Sequence, residues 1–263
     1  MFGQILVEFL FRLTFGIAAA MGVTPSHSVT SGFFRIHLWV LMGLQTLSAL
    51  AIYSSRPESA AQTWIWQWQL GLAVGAAVTS YLGAVLWMYE RNFAGKVAIW
   101  LVAVMAILGC TLPAIAFAAK PVLWQIADRV SGGLLLGFVM TAMLLGHWYL
   151  NTPTMKLQPL RRLLIFLAIA VALRMAISGS GTWLEATGHL EREGSALQTW
   201  ILFVSLRWMA GLAGVLGLAW LTWQTLKIPN TQSATGILYA AVILAFIGEL
   251  TSQLLSAEAK FPL

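Results

Sequence analysis

Long apolar stretches alternate with short polar connections along the whole chain. Eight of these stretches are almost free of charged residues, and proline or polar residues lie between them. A bilayer hydrocarbon core of about 30 Å requires about 20 apolar residues in a helix that rises 1.5 Å per residue. The pattern predicts eight transmembrane helices, at residues 5–23, 34–53, 67–89, 96–118, 123–150, 163–178, 198–225 and 235–256.

Composition supports the same class of protein. Hydrophobic residues make up 59% of the 263 residues and charged residues only 9%, with a mean hydropathy of +0.82. A soluble domain carries about 25% charged residues, so an ordinary soluble enzyme is excluded. Lipid offers no hydrogen bonds to the backbone, and the two-residue alternation of barrel strands is missing. The expected fold class is all-α: a polytopic integral membrane protein with a single transmembrane domain over residues 1–263.

The basic residues predict the orientation of this domain. The connections after the first, third, fifth and seventh helices carry Arg35, Arg91, Lys96, Lys156, Arg161, Arg162 and Lys227. The opposite side carries Arg56, Lys120, Arg192 and Lys260 together with several glutamates. Cytoplasmic loops are enriched in Lys and Arg, so we expect the first set to be cytoplasmic and both termini non-cytoplasmic, in a bacterial-type inner membrane. The net charge of +6 then reflects orientation, and no nucleic-acid partner is expected.

The first apolar segment contains two charged residues. Glu8 and Arg12 interrupt it, whereas the core of a cleaved signal peptide is uniformly apolar. We therefore expect a retained helix, and the alternative is cleavage after Ala18-Ala19-Ala20.

Ionisable residues within the predicted helices are the main candidates for function. Glu8, Arg12, Arg174, Arg207 and Glu249 are the predicted ligand-binding residues. The three arginines and Glu249 are expected about 6–13 Å inside the non-cytoplasmic boundary, counted at 1.5 Å per residue. Charges in the membrane are costly and usually face a partner or a cavity.

Two interpretations of these charges remain open. They form either a chamber for an anionic or carbonyl-bearing ligand, or ion pairs that fix helix packing. The pairs would be Glu8 with Arg12, which are one helical turn apart, and Glu249 with Arg174 or Arg207. Three arginines against two carboxylates leave one positive charge, which favours a ligand or a partner subunit.

Two histidines are expected near the cytoplasmic boundary. His37 lies near the start of the second helix and His147 near the end of the fifth. At equal depth they could ligate haem b from both sides. Alternatively, one imidazole could bind a quinone carbonyl and exchange its proton near neutral pH. The remaining alternative is that both are ordinary interfacial residues.

Other features receive structural interpretations. Trp64, Trp66 and Trp68 fit an interfacial aromatic belt. Close helix packing accounts for the small residues at Gly133 and Gly137 and at Gly211, Gly214 and Gly217. Cys110 is the only cysteine, so the chain forms no internal disulfide. Glu185, His189 and Glu193 have helical metal-ligand spacing, but Gly188 disfavours that helix, and no metal site is predicted.

The sequence thus predicts a membrane subunit of an electron-transfer assembly that binds quinone or haem and couples to protons, with other membrane subunits as partners. The alternatives are a small transporter or channel for an anion and a structural subunit without a ligand. Transporters contain broken helices at mid-membrane, and Pro113 is the clearest internal breaker here. That observation slightly favours the electron-transfer subunit.

Overall fold

The predicted helical membrane bundle is present in the structure. The computed structural model describes residues 2–55, 60–116, 121–152, 154–188, 195–228, 230–259 and 261–263. Every regular element in these ranges is a helix. Eight helical spans are long and apolar enough to cross a membrane. The prediction of an all-α, eight-helix membrane protein is therefore confirmed.

The helices follow one another with short connections. Their bounds are α1 Phe2–Val23, α2 Ser31–Ser54, α3 Ala60–Met88, α4 Asn92–Ala116, α5 Val122–Asn151, α6 Gln158–Gly188, α7 Ser195–Leu206, α8 Val215–Thr225 and α9 Thr231–Glu258. A π-helical segment, Arg207–Gly214, joins α7 to α8, so these three elements form one span. Because the number of spans is even, α1 begins and α9 ends at the same end of the bundle, called here the terminal end.

The sixth helix is longer than the sequence suggested. Residues 179–188 were expected in a loop because they contain small and polar residues, yet they continue α6. The hydroxyls of Ser180 and Thr182 donate to the carbonyls of Ala176 and Ser178, one turn earlier. A hydroxyl bonded in this way places no unpaired polar group against an apolar neighbour. As a result, Arg174 lies about 21 Å along α6 from its last residue, at 1.5 Å per residue.

Helices α1 and α5 form the centre of the bundle. In each, 72% of the most apolar window is buried, compared with 22% in the span that contains α7 and α8. The two central helices touch through glycine: a Cβ on Gly16 would overlap the carbonyl of Gly133, and a Cβ on Gly137 would overlap the backbone of Gly16. Small residues allow helix backbones to approach this closely in a membrane. The close-packing role predicted for Gly133 and Gly137 is confirmed.

Of the second predicted glycine group, two members pack closely against a neighbouring helix and the third does not. A Cβ on Gly211 would lie 2.6 Å from the Cα of Gly248, and one on Gly214 would lie 2.9 Å from Leu244. Both glycines therefore permit close contact between the seventh span and α9. A Cβ on Gly217, by contrast, meets no atom within 4 Å, so this glycine has no packing role among the described residues.

Lys96 connects α4 to the end of α1. Its ammonium group donates to the carbonyls of Met21, Gly22 and Thr24, at the point where α1 ends. Cations stabilise the last carbonyls of a helix. Lys96 therefore has a capping role besides its place in the loop-charge count. Arg56, Lys120, Arg192 and Lys260, the basic residues expected on the opposite side, lie outside the described residues.

The α1–α5 contact makes a testable prediction. We expect Gly137→Ala to destabilise the protein by about 3 kcal/mol or more, at or above the upper end of the usual range for overpacking, because the added methyl group meets backbone atoms. Loss of helical circular dichroism on heating in mild detergent measures the effect. Gly71→Ala is the matched control, since a Cβ there meets nothing within 4 Å. Equal unfolding temperatures for the two variants would contradict the assignment.

Candidate functional site: a charged cluster between two cavities

The ionisable residues predicted from the sequence come together in the half of the bundle that contains the terminal end. Arg12, Arg174, Arg207 and Glu249 are all buried, and Glu8 is 29% exposed. Asp128 and Arg129 of α5 join them. These residues, called the charged cluster, are Glu8, Arg12, Asp128, Arg129, Arg174, Arg207 and Glu249. They link α1, α5, α6 and α9 to the π-helical segment.

Arg12 holds the part of the cluster nearest to the terminal end. Its guanidinium pairs with Glu8, one turn earlier in α1, and with Asp128 of α5 at 2.5 Å. A further oxygen, from Glu249, lies 3.8 Å away. The predicted Glu8–Arg12 pair is therefore present, and Arg12 also ties α1 to α5.

Glu249 is the deepest carboxylate and pairs with two arginines. Arg174 donates from Nε and Nη2 to its two oxygens at 3.0 and 2.9 Å. This is the bidentate geometry that makes arginine–carboxylate pairs strong. Arg207 Nη2 lies 2.8 Å from Glu249 Oε1. Gly132 of α5 leaves space for the Glu249 carboxylate, since a Cβ at Gly132 would lie 2.5 Å from Glu249 Oε2.

Asp128 supplies the carboxylate that the sequence analysis did not count. It lies 2.5 Å from Arg174 Nη1 as well as pairing with Arg12. Asp128 gives the three predicted arginines a third carboxylate, but Arg129 adds a fourth guanidinium. The charged cluster therefore holds four arginines and three carboxylates, and the predicted surplus of one positive charge remains among the described residues. The position of Asp128 in the chain places it near the start of the fifth predicted helix, but position along the chain does not reveal which direction a side chain faces.

The π-helical segment begins at Arg207, a feature that the sequence did not reveal. A π turn widens the helix and often occurs at functional sites. Here Gly211 of the segment packs on Gly248, one residue before Glu249. The segment thus brings Arg207 against Glu249 where the seventh span and α9 approach most closely.

The larger of two cavities beside the cluster has a volume of about 460 Å³. It is lined by the terminal-end portions of α1, α2, α3, α4 and α5. Its walls combine apolar side chains, such as Val7 and Ile52, and one aromatic ring, that of Trp66, with several polar side chains, including Glu8, Gln69 and Arg129. Trp66, which the sequence assigned to an interfacial belt, therefore lines a cavity. Its indole N–H donates to the carbonyl of Ile52 at 2.7 Å, which fixes the ring.

One wall of this cavity depends on Pro113 in α4. Proline has no N–H, so the carbonyl four residues earlier, that of Gly109, loses its helical partner. Gln69 of α3 donates to that carbonyl at 2.9 Å. The freed backbone group is thus satisfied by a neighbouring helix, as a membrane environment requires. Pro113 and Gln69 together join α3 and α4 at the cavity.

The smaller cavity has a volume of about 270 Å³ and lies between the terminal-end portions of α1, α5 and α9. It reaches Arg12, Asp128 and Gln253. Four residues line both cavities: Gln4, Glu8, Gln125 and Arg129. Arg129 lies 3.4 Å from Glu8. Glu8 and Arg129 are therefore the charged pair that stands between the two spaces.

The two histidines lie at the opposite end of the bundle. His37 is buried, with Nδ1 2.6 Å from the carbonyl of Phe33, and its ring packs on Trp148. His147 is exposed, and its Nδ1 lies 3.3 Å from the Tyr239 hydroxyl of α9. Helices α2 and α5 do meet at this end, through Trp148. The imidazoles nevertheless contact different neighbours, and neither belongs to the charged cluster.

Of the three residues with metal-ligand spacing, only Glu185 lies within the described residues. Glu185 is buried and accepts from the backbone N–H of Phe261 at 3.4 Å, whereas His189 and Glu193 lie outside the described residues. Among the residues that the structure describes, no group of three or more His, Cys, Asp or Glu side chains is placed to hold a metal ion.

Comparison with known proteins gives no assignment. No protein-family model matches the chain, and neither a curated protein nor a solved structure matches it significantly.

The cluster predicts a large stability effect at Glu249. We expect Glu249→Gln to lower the free energy of unfolding by about 3–5 kcal/mol, because Arg174 and Arg207 lose their buried countercharge. The thermal unfolding temperature of the purified protein measures the loss. Glu90→Gln makes the same chemical change at an exposed residue and should have little effect. If both variants unfold at the wild-type temperature, the ion pairs do not stabilise the fold.

Proposed function

We propose that the protein is a membrane subunit of an electron-transfer assembly and that it binds a quinone in the larger cavity. The observation that carries the proposal is a space of about 460 Å³, lined by apolar side chains, one tryptophan and several polar residues. It adjoins a charged pair that continues into the buried cluster. Small-molecule sites are usually concave, largely apolar and of about 300–1,000 Å³, with a few polar groups that fix orientation.

The lining of the cavity fits the chemistry of a quinone ring. A quinone is planar and apolar, with two carbonyl oxygens that accept hydrogen bonds. Val7, Ile52 and Trp66 supply apolar walls, while the guanidinium of Arg129 supplies N–H donors. Glu8 supplies a carboxylate that can accept a proton from the hydroxyl of the reduced ring. Binding and proton acceptance thus fall to neighbouring residues at one side of the cavity.

In the proposed reaction, this protein accepts the protons of the quinol and a partner subunit accepts its electrons. Oxidation of a quinol to its quinone releases two electrons and two protons. The electrons pass to a redox centre, a haem or an iron–sulfur cluster, of a partner subunit, and the protons pass to Glu8. With the termini on the non-cytoplasmic side of an inner membrane, as the loop charges predict, the cavity opens on that side.

The alternative ligands receive less support from the contacts. Ligation of haem b by His37 and His147 would require both imidazoles to face one space, whereas they pack on Trp148 and Tyr239 respectively. Selection of a transported anion would require arginines with uncommitted charge. Arg12, Arg174 and Arg207 are each paired with carboxylates, so a neutral ligand in the adjacent cavity fits better. A structural subunit would not require the cavity at all.

Quinone binding can be tested by filling the cavity. Equilibrium binding of a short-chain benzoquinone to the purified protein in mild detergent gives the Kd. We expect Ala114→Phe to weaken binding at least tenfold, because Ala114 lines the cavity and the phenyl ring occupies its space. Ala240→Phe is the matched control, since Ala240 is exposed on α9. Equal affinity in both variants, or no binding to the wild type, would contradict the proposal.

A further inference from the structure

The smaller cavity is lined by buried polar groups that have no hydrogen-bond partner among the described residues. Gln253 is 7% exposed and Arg12 is 2% exposed. Both amide atoms of Gln253, and Nε and Nη1 of Arg12, have no hydrogen-bond partner among the described residues. Both side chains line this cavity. A buried donor or acceptor without a partner is strongly unfavourable, so such groups normally bind ordered water.

The space is large and polar enough to hold that water. At a share of about 30 Å³ per molecule in the liquid, a volume of about 270 Å³ accommodates several waters. Gln4, Gln125 and Ser256 add further amide and hydroxyl groups to the lining. A cavity lined by groups of this kind binds water, whereas a cavity lined only by apolar side chains stays dry.

We propose that the smaller cavity is a water-filled proton-exchange chamber, which connects the quinone cavity to the aqueous surface at the terminal end. Glu8 carries the proton between the two spaces, and Gln253 holds the water that receives it. This inference rests on the proposed quinone site, because the protons come from the bound quinol.

The position of Glu8 suits this transfer. Among the residues that the structure describes, it is the only carboxylate that lines both cavities. With a side-chain exposure of 29%, it is also the least buried acid of the charged cluster. The charged groups that face it are Arg12 and Arg129, with Asp128 beyond Arg12. Each proton released by the quinol protonates the Glu8 carboxylate, which then passes it to water and becomes a carboxylate again. The two electrons leave to the partner's redox centre.

Gln253 is a positioning residue, and its lack of partners makes it suitable for substitution. Exchange for another side chain breaks no hydrogen bond between described residues, so the variants should fold. The first test places a thiol in the chamber by Gln253→Cys in a Cys110→Ala background. A small water-soluble methanethiosulfonate forms a mixed disulfide with an accessible thiolate and releases methanesulfinate, and mass spectrometry detects the adduct.

We expect the thiol at position 253 to react at least tenfold faster than one introduced by Ser48→Cys. Ser48 is fully buried, lines neither cavity and already donates to the carbonyl of Leu44. A parallel experiment labels the wild-type protein, in which Cys110 lines the larger cavity. Bound short-chain benzoquinone should therefore shield Cys110 without shielding the thiol at position 253. An unreactive thiol at position 253 would overturn the chamber, even if Cys110 is shielded.

The second test measures proton delivery. Dithionite supplies two electrons to the bound benzoquinone, and two protons must reach the ring for the quinol to form; loss of quinone absorbance follows the reaction. We expect Gln253→Leu to slow this loss at least tenfold while leaving the Kd for quinone unchanged. Gln224→Leu, at the opposite end of the bundle, is the control and should leave both values unchanged.

The outcomes separate the two proposals. An unchanged rate in Gln253→Leu would overturn the role in proton exchange, while the quinone site would stand on its own Kd. Failure of the wild type to bind the benzoquinone would instead overturn the proposed function, and the proton role with it.

Discussion

The pairing of Glu249 with Arg174 and Arg207 is the interaction on which the rest of the structure depends. All three side chains are fully buried, in helices that the composition assigns to a membrane. Neither lipid nor bulk water is available to solvate these charges, so each must be matched by a neighbour. Because the partners come from α6, the π-helical segment and α9, satisfying the charges fixes the relative positions of three spans. Asp128 and Arg12 extend the same constraint to α5 and α1.

This constraint also positions the groups that face the cavities. In the deep part of the cluster, three arginines share the carboxylates of Asp128 and Glu249. Glu8 and Arg129 stand at its edge, where the protein interior meets the two spaces. A carboxylate held by Arg12 on one side and Arg129 on the other has a fixed place relative to any ligand in the larger cavity. In the proposed function, the buried charges are thus a scaffold, and the chemistry belongs to the residues at the edge.

The sequence predicted those features that depend on composition and on spacing within one helix. Apolar length predicted the eight spans, and i,i+4 spacing predicted the Glu8–Arg12 pair. Position along the chain predicted that Arg174, Arg207 and Glu249 lie in the same half of the bundle. It did not predict features that depend on the rotation of one helix relative to another. The bridging role of Asp128, the cavity wall formed by Trp66 and the separate neighbours of His37 and His147 are of this kind. The end of α6 was predicted too early for a different reason. The small and polar residues after Arg174 suggested a loop, but their hydroxyls donate to carbonyls of the same helix.

Photoaffinity labelling with an azido-quinone, followed by mass spectrometry of the labelled peptides, identifies the residues that lie beside a bound quinone. The account predicts that labels concentrate at the terminal-end portions of α1, α3 and α4, on residues around Val7, Trp66 and Pro113, and that excess unlabelled quinone prevents them. Labels that cluster instead around His37 and His147, or that spread over the lipid-facing surface and resist competition, would contradict it.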